Sequence, residues 1–158
     1  VQLAKLAGAE VLLLTRSPEK QALGLNIGAD YAVSTGDAVR NIWPEGADLV
    51  VECAGVSATV TLSPRLARSG GRVVILGVVS QGEMVPIEPF DLLFREIQMH
   101  FSFLNPFTHG RAAKMIADGT IKISPLISRT ISLEEAAKVI ASPPPKGEVR
   151  AIVVPNHD

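Results

Sequence analysis

The stretch that most constrains the fold is residues 10–32, EVLLLTRSPEKQALGLNIGADYA. The unbroken apolar run at residues 12–14 is typical of a strand that is covered on both faces in a parallel sheet. Ser17 is a good N-cap and Pro18 suits the first helical position. Gly28 ends the helix, because glycine accepts the positive φ that a helix end often needs. The stretch therefore predicts a strand, a turn, a helix and a return to a second strand.

The turn after the first of these strands lies where ligands bind in open α/β sheets, at the carboxyl end of a strand. It carries the hydroxyl of Thr15, the guanidinium of Arg16 and the hydroxyl of Ser17, and Lys20 follows just inside the helix. This cationic, hydroxyl-rich composition suits a phosphate group. The alternative is a solvated loop of ordinary turn composition.

The rest of the chain continues the alternation of strands and helices. Strands are predicted at residues 31–33, 48–53, 72–76 and 96–103, a short edge strand at 84–87, and helices at 1–7, 37–42, 57–69, 88–94 and 108–118. Pro64 should bend or interrupt its helix. Short connections in this order predict an α/β fold with a doubly wound parallel sheet.

The character of the chain changes after residue 125. An extended segment is predicted at residues 127–131, and Ser132 with Glu135 forms a capping box for the next helix. A final strand is predicted at residues 148–154. These closing elements need a partner surface that the preceding sheet does not obviously supply.

Composition narrows the class of protein. The net charge of −1 indicates no bulk attraction to nucleic acid, and the single cysteine is typical of a reducing compartment. No apolar run approaches the length of a membrane span. We therefore expect a cytoplasmic protein that binds neither nucleic acid nor membranes.

Several segments together resemble a known family. They are GAEVLLLTRSPEKQALGLNIGAD, DLVVECAG, GGRVVILGV, EIQMHFSF, HGRAAKMIADGTI and SPLISRTISLEEAAKVI, in this order along the chain. The set resembles the cofactor domain of the medium-chain dehydrogenase/reductase superfamily, in its zinc-type alcohol and polyol dehydrogenase branch. The resemblance implies that residues 1–125 form a nicotinamide-dinucleotide-binding Rossmann domain. It also implies that residues 126–158 return to the catalytic domain.

The resemblance also implies parts of the enzyme that lie before residue 1. In the family, the first strand and its Gly-x-Gly-x-x-Gly turn directly precede the helix with which this chain begins, and the zinc ligands lie earlier still. We therefore expect this chain to be the C-terminal part of a longer enzyme, with zinc bound in the missing N-terminal half. By itself this part should be inactive and should bind cofactor poorly.

Cofactor preference is predicted from the end of the strand at residues 12–14. NAD-specific members of such folds carry an acidic residue there, which accepts hydrogen bonds from the ribose hydroxyls. This chain has Thr15 and Arg16 instead, and a guanidinium can pair with the additional phosphate of NADP(H) through two hydrogen bonds. NADP(H) is therefore predicted over NAD(H). By family position Ser17 and Lys20 join this site, although Lys20 can equally be a solvated helix cation.

The resemblance implies four further contacts at two strand ends. Ala54 and Gly55 would lie against a ribose or ring, where small residues allow close approach to the backbone. Gly77 and Val78 would meet the nicotinamide with their main-chain groups. An ordinary turn is the alternative for the first pair.

Three more residues match family positions. Ser102 and Phe103 would supply a second backbone contact to the nicotinamide amide, although Phe103 can equally be core packing. Arg150 matches an arginine that reaches the pyrophosphate, with an exposed strand cation as the alternative.

A metal site is not predicted within the chain. Cys53 has no second cysteine and is interpreted as a small core residue. His100, His109 and His157 lack the spacing of metal ligands. No catalytic nucleophile with a neighbouring base is visible either.

The sequence is compatible with three functions. The first is hydride transfer between NADP(H) and a secondary alcohol or polyol or its ketone, assisted by zinc in the full-length enzyme. The second is a zinc-free quinone or enone reductase of the same superfamily, and the third is a noncatalytic NADPH-sensing module. Family members are usually dimers or tetramers, so a homodimer or homotetramer is expected, with residues 84–87 and 96–103 as candidate edges.

Overall fold

The computed structural model describes residues 1–155 and shows helices alternating with short strands. The helices are α1 (Gln2–Leu6), α2 (Pro18–Asn26), α3 (Gly36–Ile42), α4 (Ser57–Leu66), α5 (Pro89–Phe94), α6 (His109–Ala117) and α7 (Leu133–Ile140), with a 3₁₀ turn at Ser124–Leu126. The strands are β1 (Leu12–Leu14), β2 (Tyr31–Val33), β3 (Ala47–Glu52), β4 (Ala67–Ile75), β5 (Gln98–Phe101), β6 (Ile127–Ile131) and β7 (Arg150–Val153).

The strand pairings within residues 1–155 are all parallel. β1 pairs with β2, β4 lies between β3 and β5, and β6 pairs with β7. Parallel strands joined through helices confirm the predicted α/β fold of Rossmann type. The first strand and glycine-rich turn that the resemblance places before residue 1 stay a prediction.

The chain divides into two compact units. The first unit comprises residues 1–34 and 108–158, and the second comprises residues 35–107. The boundary predicted at residue 125, between a cofactor domain and a segment of a catalytic domain, stays a prediction.

Local signals in the first unit act as the sequence predicts. The Ser17 hydroxyl accepts a hydrogen bond from the Lys20 N–H at 3.2 Å, with Pro18 at the start of α2. Gly28 follows the helix at φ 106°. The Ser132–Glu135 capping box is also present at the start of α7. These features depend on residues close together in sequence, so tertiary packing does not override them.

The core of the second unit lies between β4 and α4. Val73 and Ala67 are fully buried, and Val60 of α4 and Ile75 of β4 are almost so. Val73 and Ile75 alternate along the central strand, so they point to the same face of the sheet. This core fixes the carboxyl end of β4, where the predicted nicotinamide contacts lie.

The boundary between α4 and β4 differs from the prediction. The helix predicted through residue 69 ends at Leu66, and β4 begins at Ala67 and not at residue 72. The strand register shifts across this segment, where Gly70 has φ 69°. Glycine allows such an irregularity, so the Gly-Gly pair lies inside the strand and does not terminate the helix.

The edge strand predicted at residues 84–87 is wrong. This segment is irregular in the structure, and the Pro86 carbonyl accepts a hydrogen bond from the Thr61 hydroxyl at 3.1 Å. Proline has no N–H to donate to a strand ladder, which disfavours a strand there.

Two arginines satisfy the carbonyl groups at the end of α4. Arg95 donates to the carbonyl oxygens of Pro64 and Ala67, each at 3.0 Å, and Arg40 donates to that of Arg65. Arg95 also pairs with Asp91, and this hydrogen bond lowers the pKa of the Asp91 carboxyl. Interactions distant in sequence therefore end a helix that contains a proline.

Replacing Arg95 with methionine is expected to reduce the free energy of unfolding by about 1–3 kcal/mol, because two helix-end carbonyls lose a charged donor. Denaturant unfolding of the variant measures this loss. The control is Arg65→Met, because Arg65 lies on α4 and its side chain is exposed. Equal stability of the two variants would contradict the capping role of Arg95.

Candidate functional site

In the first unit, Thr15 is held at the end of β1 by its main chain. Its N–H donates to the Val33 carbonyl at 2.9 Å, and its carbonyl accepts from the Gln21 side chain at 2.7 Å. The first bond prolongs the β1–β2 pairing, and the second ties the start of the turn to α2. The Thr15 side chain is half-buried there.

Arg16 and Lys20 supply the positive charge of this turn. Both side chains are exposed, and neither has a hydrogen-bond or ion-pair partner among residues 1–155. An unpaired guanidinium can accept an anion without first breaking an internal ion pair. This is the chemistry expected of a phosphate site.

Ser17 has two roles, of which the sequence predicted only the helix cap. Its hydroxyl caps α2 and also donates to the Glu19 carboxylate at 2.6 Å, which lowers the pKa of Glu19. Glu19 in turn lies 3.9 Å from the ammonium group of Lys146. The Ser17 hydroxyl is therefore engaged within the protein, so the charge available to a ligand comes from Arg16 and Lys20.

In the second unit, a buried carboxylate organises the turn after β3. Glu52 is only 4% exposed. It accepts hydrogen bonds from the N–H of Ala54 at 2.7 Å, the N–H of Gly55 at 3.0 Å and the Thr59 hydroxyl at 2.7 Å. Glu52 was not among the site residues predicted from the sequence. An ionisable residue at the end of an apolar strand, directly before Cys-Ala-Gly, was the signal that could have revealed it.

The turn after β4 lies directly against the turn after β3. The N–H groups of Leu76 and Gly77 donate to the main-chain carbonyl of Glu52 at 2.9 and 3.1 Å. Gly55 has φ 66°, and a Cβ atom there would lie 2.6 Å from the N of Val78. The structure thus brings together the four predicted residues at these two strand ends.

Cys53 and Glu52 occupy opposite faces of the sheet. The interpretation of Cys53 as a core residue is wrong, because its side chain is exposed. Successive residues of a strand point to opposite faces, so burial of Glu52 turns Cys53 outward. Partial desolvation, with a contribution from Glu52, still raises the pKa of the thiol.

Ser102 and Phe103 follow β5. The Ser102 N–H donates to the Ile75 carbonyl at 3.1 Å, which places it beside the end of β4. Phe103 is 75% exposed, so it is not part of the core of its unit. Its exposed ring leaves the cofactor contact open as a prediction.

Arg150 begins β7 in the first unit. It lies opposite Ile127 in the β6–β7 register, and its side chain is exposed. The neighbouring Glu148 instead pairs with Arg129 at 2.7 Å. A contact of Arg150 with pyrophosphate stays a prediction.

Residues 1–155 contain no group of three or more His, Cys, Asp or Glu side chains that could hold a metal ion. His157 lies outside the described residues. Within the same described range, every helix is too short or too polar to cross a membrane.

The parallel strands joined through helices define the class of α/β proteins with a Rossmann-like fold. A family model described as zinc-binding dehydrogenase matches residues 1–118. The chain therefore belongs to the zinc-binding dehydrogenase family, within the medium-chain dehydrogenase/reductase superfamily that its segments resemble.

Individual proteins support this assignment. A protein of Agrobacterium fabrum, provisionally described as a D-xylulose reductase, is 33% identical over 112 residues, which are 71% of this chain and 31% of that protein. NADP-dependent alcohol dehydrogenase 6 of Saccharomyces cerevisiae is 27% identical over 127 residues, 77% of this chain and 34% of that protein.

A solved structure is similar over nearly the whole chain. It is a protein of Sinorhizobium meliloti 1021, provisionally described as a zinc-binding dehydrogenase and crystallised with NADP. It is 51% identical, with a TM-score of 0.93, over 98% of this chain and 48% of that chain. This chain thus spans about half the length of that protein and about a third of the two relatives.

Proposed function

We propose that the protein is an oxidoreductase that transfers hydride between NADP(H) and a secondary alcohol or polyol, or the corresponding ketone. Family membership supports the reaction class. The observation that carries the cofactor preference is the turn after β1, where Thr15 takes the place of an acid and Arg16 is exposed without a partner among residues 1–155. The NADP bound to the S. meliloti relative agrees with this preference.

The adenosine end of the cofactor would bind at that turn. Arg16 would donate two hydrogen bonds to the additional phosphate, and Thr15 would donate a third from its hydroxyl. Lys20 would add positive charge near the helix start. A carboxylate in place of Thr15 would repel the same phosphate.

The nicotinamide end would contact the turns after β3 and β4. Gly77 and Val78 would present main-chain groups to its carboxamide, and Ala54 and Gly55 would leave room for the ribose. When bound there, the cofactor would supply or accept the hydride. The protein's own part is to hold the ring at a fixed place and orientation.

Zinc would assist the reaction in the full-length enzyme, as membership of the zinc-binding dehydrogenase family implies. A homodimer or homotetramer is also expected. β5 is the remaining candidate edge, because it has one sheet neighbour within the described residues and Phe101 on it is 76% exposed.

The proposal is tested with the protein in its full encoded length, NADPH, and a panel of ketoses, simple ketones and quinones. We expect NADPH absorbance to fall with the ketoses or ketones, and the loss to stop when a chelator removes the metal. Quinone reduction that persists with chelator would instead favour the zinc-free reductase. Tight NADPH binding without turnover of any compound would favour the sensing module.

A further inference from the structure

We propose that Glu52 is a positioning residue for the nicotinamide end of the cofactor. It would act by holding the turns after β3 and β4 at a fixed spacing. This inference rests on the proposed function, because it takes these two turns as the cofactor contact.

Glu52 serves both turns at once through different groups. Its side chain receives the N–H groups of Ala54 and Gly55 and the Thr59 hydroxyl, which fixes the turn after β3 to the start of α4. Its main-chain carbonyl receives the N–H groups of Leu76 and Gly77, which fixes the turn after β4.

Burial makes the hydrogen bonds of Glu52 costly to lose. A buried carboxylate is unfavourable unless donors replace the water it leaves. Among the described residues no lysine or arginine pairs with Glu52, so its compensation comes from main-chain N–H groups and one hydroxyl. The turn must therefore keep these N–H groups directed at the carboxylate.

Side-chain packing cannot set the spacing of these turns. Gly55 and Gly77 have no side chains, and a Cβ atom on Gly77 would lie 2.6 Å from the Gly55 Cα. The main chains thus meet directly, with Val78 and Ala54 exposed beside them. The hydrogen bonds to Glu52 continue the β3–β4 pairing into this close contact, and hydride transfer is sensitive to displacements of about 1 Å.

The test compares two ligands on the full-length protein. NADPH carries the nicotinamide, whereas adenosine 2′,5′-bisphosphate carries only the adenosine end with its additional phosphate. Glu52→Gln is expected to weaken NADPH binding at least about tenfold, because a donor amide replaces one acceptor oxygen of a charged group. Binding of the bisphosphate should be unchanged. Titration calorimetry measures both dissociation constants.

Two further variants provide a milder substitution at the same contact and a control. Thr59→Val removes one donor but leaves the carboxylate, and should weaken NADPH alone by about three- to tenfold. It replaces Glu52→Gln if that variant fails to fold. Glu45→Gln, an exposed carboxylate in the same unit, is the control and should bind both ligands like the unaltered protein.

The binding of the two ligands to the variants shows whether Glu52 positions the nicotinamide, has a general structural role or has no role. Equal weakening of both ligands would show a general structural role, and unchanged NADPH binding would show no role; either overturns the proposal for Glu52. If the unaltered protein binds neither ligand, the proposed function itself fails. A selective loss of NADPH supports Glu52 as the positioning residue.

Discussion

Replacing Arg16 with alanine is expected to weaken NADPH binding by about ten- to a hundredfold and to leave NADH binding nearly unchanged. The guanidinium would donate charge-assisted hydrogen bonds to a phosphate that NADH lacks, and because the side chain is exposed we expect these bonds together to contribute roughly 1.5–3 kcal/mol. Because Arg16 has no partner within residues 1–155, its removal breaks no internal bond there. Dissociation constants for both cofactors, measured on the full-length protein, give the ratio directly.

The matched control for this prediction is Arg111→Ala. Arg111 is also an exposed arginine of the first unit without a partner among the described residues, but it lies on α6. The Arg111→Ala substitution removes the same charge from the protein and leaves the turn after β1 unchanged. If Arg111→Ala lowers NADPH affinity as much as Arg16→Ala, the effect is one of net charge. If Arg16→Ala weakens both cofactors equally, the preference for NADP(H) is not set at this turn.

Replacing Gly77 with alanine is expected to disrupt the second unit at the proposed nicotinamide site. The added Cβ would overlap the Gly55 N and a carboxylate oxygen of Glu52, and it would lie 2.6 Å from the Gly55 Cα. These are main-chain atoms and a buried carboxylate, so they cannot move aside as a flexible side chain would. We expect a loss of about 1–3 kcal/mol in the free energy of unfolding, as is usual for overpacking. NADPH binding should fall with it.

A suitable comparison is Gly110→Ala. Gly110 lies within α6, and a Cβ atom there would meet nothing within 4 Å. Alanine favours a helix over glycine by roughly 0.5–1 kcal/mol, so this variant should be as stable as the unaltered protein or more so. Thermal and denaturant unfolding of both variants measures the contrast. A Gly77→Ala protein of normal stability and affinity would show that the two turns separate readily.

The predicted cofactor contacts differ in how far the structure informs them. Ala54, Gly55, Gly77 and Val78 meet at two adjoining strand ends, which gives them a common physical basis. Arg16 and Lys20 are available at the other turn. For Ser102, Phe103 and Arg150 the structure shows position and exposure, and their roles stay predictions.

The sequence by itself determined the features that depend on near neighbours. Ser17 and Pro18 start α2, Gly28 follows its end, and the Ser132–Glu135 pair caps α7, because each acts on backbone groups within a few residues. The order of predicted strands and helices also indicated the parallel α/β class, and the resemblance of several segments to a known family indicated the dehydrogenases.

Only the tertiary structure decided which side of β3 is buried and where α4 ends. The run of residues 48–53 is apolar enough for either face to be inside, so it did not show that Glu52 lies inside and Cys53 outside. Similarly, α4 ends where Arg40 and Arg95 reach its carbonyls from positions distant in sequence. The buried face of β3 and the end of α4 depend on which surfaces and hydrogen-bond donors the folded chain brings together. Residues distant in sequence supply these, so a local sequence pattern cannot predict them.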